Sequence, residues 1–161
     1  NPKCEECPLQ AYCLAYEKSS INLLPVKDKK IKIKNRYLHY FIFNYKDSIY
    51  LQKRTEKDIW QNLYEFFLIE TDESSDTNAI LKNKGLKNLV KDMDVISITS
   101  EKKHILSHQH LYATFYEVNI KTPIKSNTLI KIKRSNLTQY GLPQLINKYL
   151  NKKRTSSELF L

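Results

Sequence analysis

The chain has 161 residues, 41% of them hydrophobic, and its 27 Lys and Arg against 17 Asp and Glu give a net charge of +10. That length holds one domain with a substantial core and a short appendage, and the basic balance favours a polyanionic partner such as nucleic acid over an acidic small substrate. The only glycines are Gly85 and Gly141, which excludes a P-loop or a GxGxxG dinucleotide turn, and no run approaches the ~18 apolar residues of a membrane span. Without a signal-peptide pattern, the expectation is a cytoplasmic protein with no membrane partner.

Cys4, Cys7 and Cys13 form a C-x2-C-x5-C cluster, and no cysteine follows. Three thiols cannot complete a disulfide framework. Soft thiolates at short spacings hold iron-sulfur clusters or structural zinc, and spacing alone leaves both open; either tetrathiolate site lacks one ligand here. Pro8–Tyr16 is predicted to be a short helix with Pro in its first turn, carrying Cys13 back toward Cys4 and Cys7. Residues 17–35 are rich in lysine (Lys18, Lys27, Lys29, Lys30, Lys32, Lys34) and read as a connector, either solvated or lying along a phosphate backbone.

Aromatic and β-branched residues predict a hairpin of Tyr37–Tyr45 and Ile49–Arg54 about an Asp47-Ser48 turn. Thr55–Asn62 is a polar loop carrying Trp60, and Leu63–Ile69 is another strand. Asp76 or Thr77 caps a predicted helix running through Ile80, Leu86 and Val90, with Gly85 weakening its interior. Strands follow at Val95–Ser100, Leu111–Ile120 and Thr128–Ile132. Pro143–Asn151 is helical, with an apolar stripe of Leu145, Ile146, Tyr149 and Leu150. The fold class is therefore α+β, a mixed sheet with flanking helices. Trp60 and Tyr64 read as core aromatics.

The cysteine cluster, Leu24-Pro25-Val26-Lys27, the Arg54–Phe66 stretch RTEKDIWQNLYEF, the His104–Leu111 stretch HILSHQHL and Tyr140-Gly141-Leu142-Pro143 together resemble the C-terminal part of the MutY family of adenine DNA glycosylases. The resemblance covers nearly the whole chain. It departs from the family at Leu106 (usually phenylalanine), Phe67 (proline) and Ile59 (leucine). It implies a Nudix-like domain over 36–153, preceded by the end of an iron-sulfur loop over 1–16 and a basic connector over 17–35, and followed by a tail over 154–161. Cys4, Cys7 and Cys13 would be the last three ligands of a C-x6-C-x2-C-x5-C site. The first ligand is then expected seven positions before Cys4, with the catalytic domain of the same chain upstream. A 4Fe-4S cluster would belong to the full-length protein, with none held by these residues alone.

The resemblance further implies base excision repair: adenine opposite 8-oxoguanine in duplex DNA is removed by the full-length enzyme, while this inactive module recognises the lesion. Leu106, Ser107 and His108 are its implied lesion contacts. 8-Oxoguanine carries N7–H where guanine has an acceptor, and the Ser107 hydroxyl can accept from it. His108 would approach the amino edge of the lesion. Leu106 can act as an apolar wedge. His104, His108 and His110 share a face only if their segment is extended, and a structural hydrogen bond is the expected role of His104.

Two other readings stand beside this one. A stand-alone Nudix hydrolase needs a glutamate run to hold divalent metal, yet between Glu70 and Asp92 the only glutamate after Glu70 is Glu73. An interaction module for repair or replication proteins would use the tail, with Leu159 and Phe160 as apolar anchors.

Overall fold

The computed structural model describes residues 2–26, 33–99 and 102–158, with 154–158 as backbone only. Lys27, Lys29, Lys30 and Lys32 of the connector, Ser100, Glu101, and the tail residues Leu159 and Phe160 lie outside the described residues. The chain forms two compact units, 1–32 and 33–161.

In the first unit, a turn closed from Cys7 N to Cys4 O at 3.2 Å leads to a 3-10 turn over Gln10–Tyr12 and to helix α1, Leu14–Glu17. The single helix predicted over Pro8–Tyr16 is thus two pieces. Cys13 divides them: its backbone is extended, and its carbonyl accepts from Tyr16 N and Glu17 N, each at 3.0 Å.

The second unit is built on an eight-stranded mixed sheet. Strand β1 (Lys34–Tyr45) turns through Lys46-Asp47 into β2 (Ser48–Lys53), and Tyr45 pairs with Ser48. The turn lies one residue earlier than expected, with Lys46 taking the positive φ of 53°. The predicted strand at Leu63–Ile69 is broken at Phe66 into β3 (Tyr64–Glu65) on β2 and β4 (Phe67–Thr71) on β1.

One helix was expected next, and two occur: α2 (Thr77–Leu81) and α3 (Lys84–Leu89). Asp76 caps the first through Asn78 N at 3.0 Å, whereas Asn83 ends that run and caps the second through Gly85 N at 2.8 Å. Gly85 therefore lies in a first turn, where its missing side chain costs little, and not in a helix interior.

Strands β5 (Met93–Ile98), β6 (Lys102–Ile105), β7 (Gln109–Ile120) and β8 (Leu129–Lys133) follow. β7 runs parallel to β1 from the Lys34–Gln109 pair to Asn44–Asn119, and β5 and β6 add antiparallel to β7. After a 3-10 segment over Arg134–Gln139, α4 spans Gln144–Glu158. The predicted helix end at Asn151 marked only the end of the apolar stripe; the polar backbone stays helical, so most of the expected tail over 154–161 continues α4.

Alternation along β1 and β7 fills both faces of the sheet. Leu38, Tyr40, Leu111 and Phe115 pack with Leu145 and Ile146 of α4. Phe41, Phe43, Tyr116 and Val118 pack with Ile80, Leu86 and Val90 on the other side. Among the described residues, no helix is long and apolar enough to cross a membrane.

Candidate nucleic-acid interface

Between β6 and β7 the chain reverses in four residues. Leu106 N donates to Gln109 O at 2.8 Å, which leaves Ser107 and His108 as a two-residue tip. Both tip residues are exposed, while Leu106 at the base is half-buried against the α4-side core. The structure thus brings the three lesion-contact candidates together, with Ser107 and His108 facing water and Leu106 holding the turn to the domain. His104 pairs with Leu111 and Ile105 with His110, so His104 and His110 face opposite sides of the sheet and His108 sits in the turn. The extended three-histidine face does not form.

Two supports brace this hairpin. At the turn, Gln109 Oε1 accepts from Arg36 Nη1 at 3.0 Å. Arg36 is only 7% exposed and spends all five guanidinium N–H donors, the other four on Asp58 and Glu70 at 2.5–2.9 Å. Hydrogen bonds to Glu70, then Asp58, raise the Arg36 pKa further above its ordinary value, and Arg36 in turn holds the Asp58 carboxyl below the usual range. Arg54 extends the network to Asp58, at 2.9 Å, and to buried Glu65, at 2.8 Å.

Arg54 Nε also donates to Ile59 O at 3.0 Å, which shapes the 55–62 loop around Trp60 and Asn62, both at positive φ (62° and 69°). Trp60 then forms the second support, its ring 6.2 Å from that of His104. His104, expected to make a structural hydrogen bond, instead packs on this ring; burial, then the nearby Lys148 charge, lowers its pKa. Trp60 and Tyr64 both join the α4-side core, as expected.

Arg36 was not singled out in the sequence as a hub. The available signal was parity: Arg36 shares the inward face of Leu38 and Tyr40, and an arginine at such a position requires buried partners.

Cys4 and Cys13 are half-buried and Cys7 is exposed. Three soft thiolate donors suit an iron-sulfur cluster chemically. Their arrangement does not close around a metal by itself: among the described residues, no group of three His, Cys, Asp or Glu side chains is placed to hold one.

In the segment where a Nudix hydrolase would present its glutamate run, α3 carries Lys84 and Lys87 and is flanked by Lys82 and Lys91. Two of the segment's acids are already engaged. Glu70 bonds Arg36, and Asp76 caps α2.

Residues 39–152 match the NUDIX domain family, and residues 1–13 match the iron-sulfur binding domain of endonuclease III. Over 158 residues the chain is 33% identical to the adenine DNA glycosylase of Buchnera aphidicola subsp. Baizongia pistaciae, covering 94% of this chain and 42% of that protein. The chain spans less than half the length of the curated relatives it matches. Among solved structures, the C-terminal domain of mouse MUTYH in complex with human PCNA aligns with a TM-score of 0.57 at 13% identity, over 76% of this chain and 90% of that one. The MutT protein of Methanosarcina mazei Go1 aligns with a TM-score of 0.59 at 12% identity, over 80% of this chain and 99% of that one. At these identities the structural likeness establishes the fold alone.

Proposed function

Because the chain belongs to the NUDIX domain family, opens on an iron-sulfur match and has adenine DNA glycosylases as its curated relatives, we propose that it is the lesion-recognition module of an adenine DNA glycosylase. The full-length enzyme hydrolyses the N-glycosidic bond of adenine opposite 8-oxoguanine in duplex DNA. Its catalytic domain extrudes the adenine, and this module reads the base left on the other strand. Cys4, Cys7 and Cys13 supply three of the four thiolates of the enzyme's 4Fe-4S cluster, which pins three points of the chain to one centre when bound. The enzyme acts on the nucleoid in the cytoplasm, and repair or replication proteins are its further partners.

One observation carries the reading: the exposed Ser107-His108 tip stands clear of the sheet while Arg36 and Trp60 hold its stem. A rigid stem with an exposed polar end is what a base-reading element needs, since side chains held in place lose little freedom on binding. The Ser107 Oγ accepts from N7–H of the lesion, and His108 approaches its amino edge. Leu106 enters contact only at its solvent side and otherwise fixes the turn. Lys84 and Lys87 on α3, and the lack of a glutamate run after Glu73, argue against nucleotide hydrolysis.

The test is Ser107→Ala in the full-length enzyme, compared by single-turnover rates on A:8-oxoguanine and A:G duplexes. Loss of one hydrogen bond, about 0.5–1.5 kcal/mol, slows the lesion substrate by roughly 2- to 13-fold and leaves A:G unchanged. Equal losses on both substrates would reduce Ser107 to a turn former.

A further inference from the structure

Gln109 closes the β6–β7 turn opposite Leu106, and the two exchange backbone bonds: Leu106 N to Gln109 O at 2.8 Å, and Gln109 N to Leu106 O at 3.4 Å. Residues paired in this way point their side chains to one face of a hairpin. Gln109 therefore flanks the tip on the side where Leu106 packs, half-buried beside the exposed Ser107 and His108.

A glutamine amide in water is ambivalent, because its oxygen accepts, its NH2 donates, and a half-turn of the last torsion exchanges the two. Arg36 removes that ambivalence. Its guanidinium offers no acceptor and gives Nη1–H to Gln109 Oε1, so the reverse orientation would set the NH2 against a permanent positive charge. Asp58 and Glu70 hold the guanidinium in turn. Gln109 thus presents two N–H donors and no acceptor. Among the described residues no acceptor meets either of them, and Nε2 keeps access to solvent.

Oxidation of guanine to 8-oxoguanine adds two groups side by side on one edge, a proton on N7 and a carbonyl oxygen on C8. Their complement is an acceptor next to a donor. We propose that Gln109 is a second specificity-determining residue, donating from Nε2 to O8 of the lesion while Ser107 accepts from N7–H. The inference rests on the lesion-reading function and adds a residue and an atom to it. The Ser107 and Gln109 Cα atoms are no more than about 7.6 Å apart, two trans-peptide steps, so one base edge lies within the span of both side chains. Arg36 acts through Gln109 as a positioning residue, setting which end of the amide faces the base.

The test is Gln109→Glu in the full-length enzyme, read as the ratio of single-turnover rates on A:8-oxoguanine and A:G duplexes. Glutamate keeps an oxygen for Arg36 and so preserves the turn, but it has no N–H to give. Because guanine has no O8, loss of this hydrogen bond should lower the ratio by roughly 2- to 13-fold. The added negative charge weakens binding of both duplexes alike and cancels in the ratio. Replacing 8-oxoguanine with 8-thioguanine, which keeps N7–H but carries a weakly accepting sulfur on C8, should shrink the Gln109→Glu effect and leave the Ser107→Ala effect in place.

An unchanged ratio in Gln109→Glu would overturn the proposal; if Gln109→Ala lowers the ratio at the same time, Gln109 only braces the turn through Arg36. A Gln109→Glu effect of the same size on 8-thioguanine would put the donor on an atom other than O8 and overturn it as well. If the ratio holds in Gln109→Glu while Ser107→Ala still lowers it, the Gln109 assignment fails and the lesion-reading function stands. If neither Gln109→Glu, Gln109→Ala nor Ser107→Ala changes the ratio, the lesion-reading function fails with it.

Discussion

Arg36 and Gln109 meet through a 3.0 Å hydrogen bond that bridges 73 residues of sequence. Through that contact the β6–β7 turn joins the same guanidinium that holds Asp58 and Glu70, so the tip, the 55–62 loop and β4 share one electrostatic hub.

Removing the hub should be costly. Arg36→Met leaves Asp58 and Glu70 facing each other with their main counter-charge gone; breaking a buried pair costs about 3–5 kcal/mol. The lower end applies here, because the Asp58 and Glu70 side chains remain 28% and 30% exposed. Arg36→Lys should recover only part of the loss, since an ammonium offers three donors where the guanidinium offers five. Urea unfolding measures both variants, and a loss below about 1 kcal/mol for Arg36→Met would show that the network contributes little.

Asn83→Ala should destabilise the domain by about 1 kcal/mol, the usual cost of replacing an N-cap with alanine. A single continuous helix would instead gain from alanine at that position, so the sign of the change in urea midpoint distinguishes two capped helices from one. Gly85→Ala should gain less than the roughly 1 kcal/mol typical of a helix interior, because its new Cβ would sit 3.2 Å from the capping oxygen of Asn83.

His39 is 5% exposed, with Nδ1 3.2 Å from Tyr116 OH, and burial lowers its pKa below the ordinary 6.5. As pH falls through 6.5, the unfolded chain therefore takes up the proton before the folded one does, and stability declines toward the folded-state pKa. The slope is at most about 1.4 kcal/mol per pH unit for one proton. His39→Gln removes that proton and should flatten the decline between pH 7 and 5 in urea unfolding. The flattening is partial, because His104, lowered by burial and Lys148, contributes with the same sign and remains. An unaltered slope in His39→Gln would mean that His39 charges equally readily in both states.

Much of this architecture was legible residue by residue. The Tyr37–Tyr45 and Leu111–Ile120 runs are apolar on both parities, and such runs become central strands covered on both faces. β6 was hidden because Lys102 and Lys103 are exposed and its pattern offers no apolar face; it exists as the partner that squares off the turn at Ser107. The α2–α3 break was not legible, and one helix with Gly85 in its interior was expected, since Asn83 in sequence looks like an ordinary polar position and becomes a cap only once the chain bends there. Leu106, Ser107 and His108 are candidates that the motif alone singles out, and the structure places them in one turn. Their bracing was not legible, because Arg36 meets Asp58, Glu70 and Gln109 across 22, 34 and 73 residues, and no local pattern encodes contacts at those separations.

Lys34 begins β1, and its backbone N–H bonds the carbonyl of His108 at 3.1 Å. The backbone thus enters β1 beside His108, at the tip of the β6–β7 turn. The start of β1 and the turn that carries Ser107 are therefore one hydrogen-bonded piece of backbone, so a substitution that disturbs the entry at Lys34 also reaches the turn.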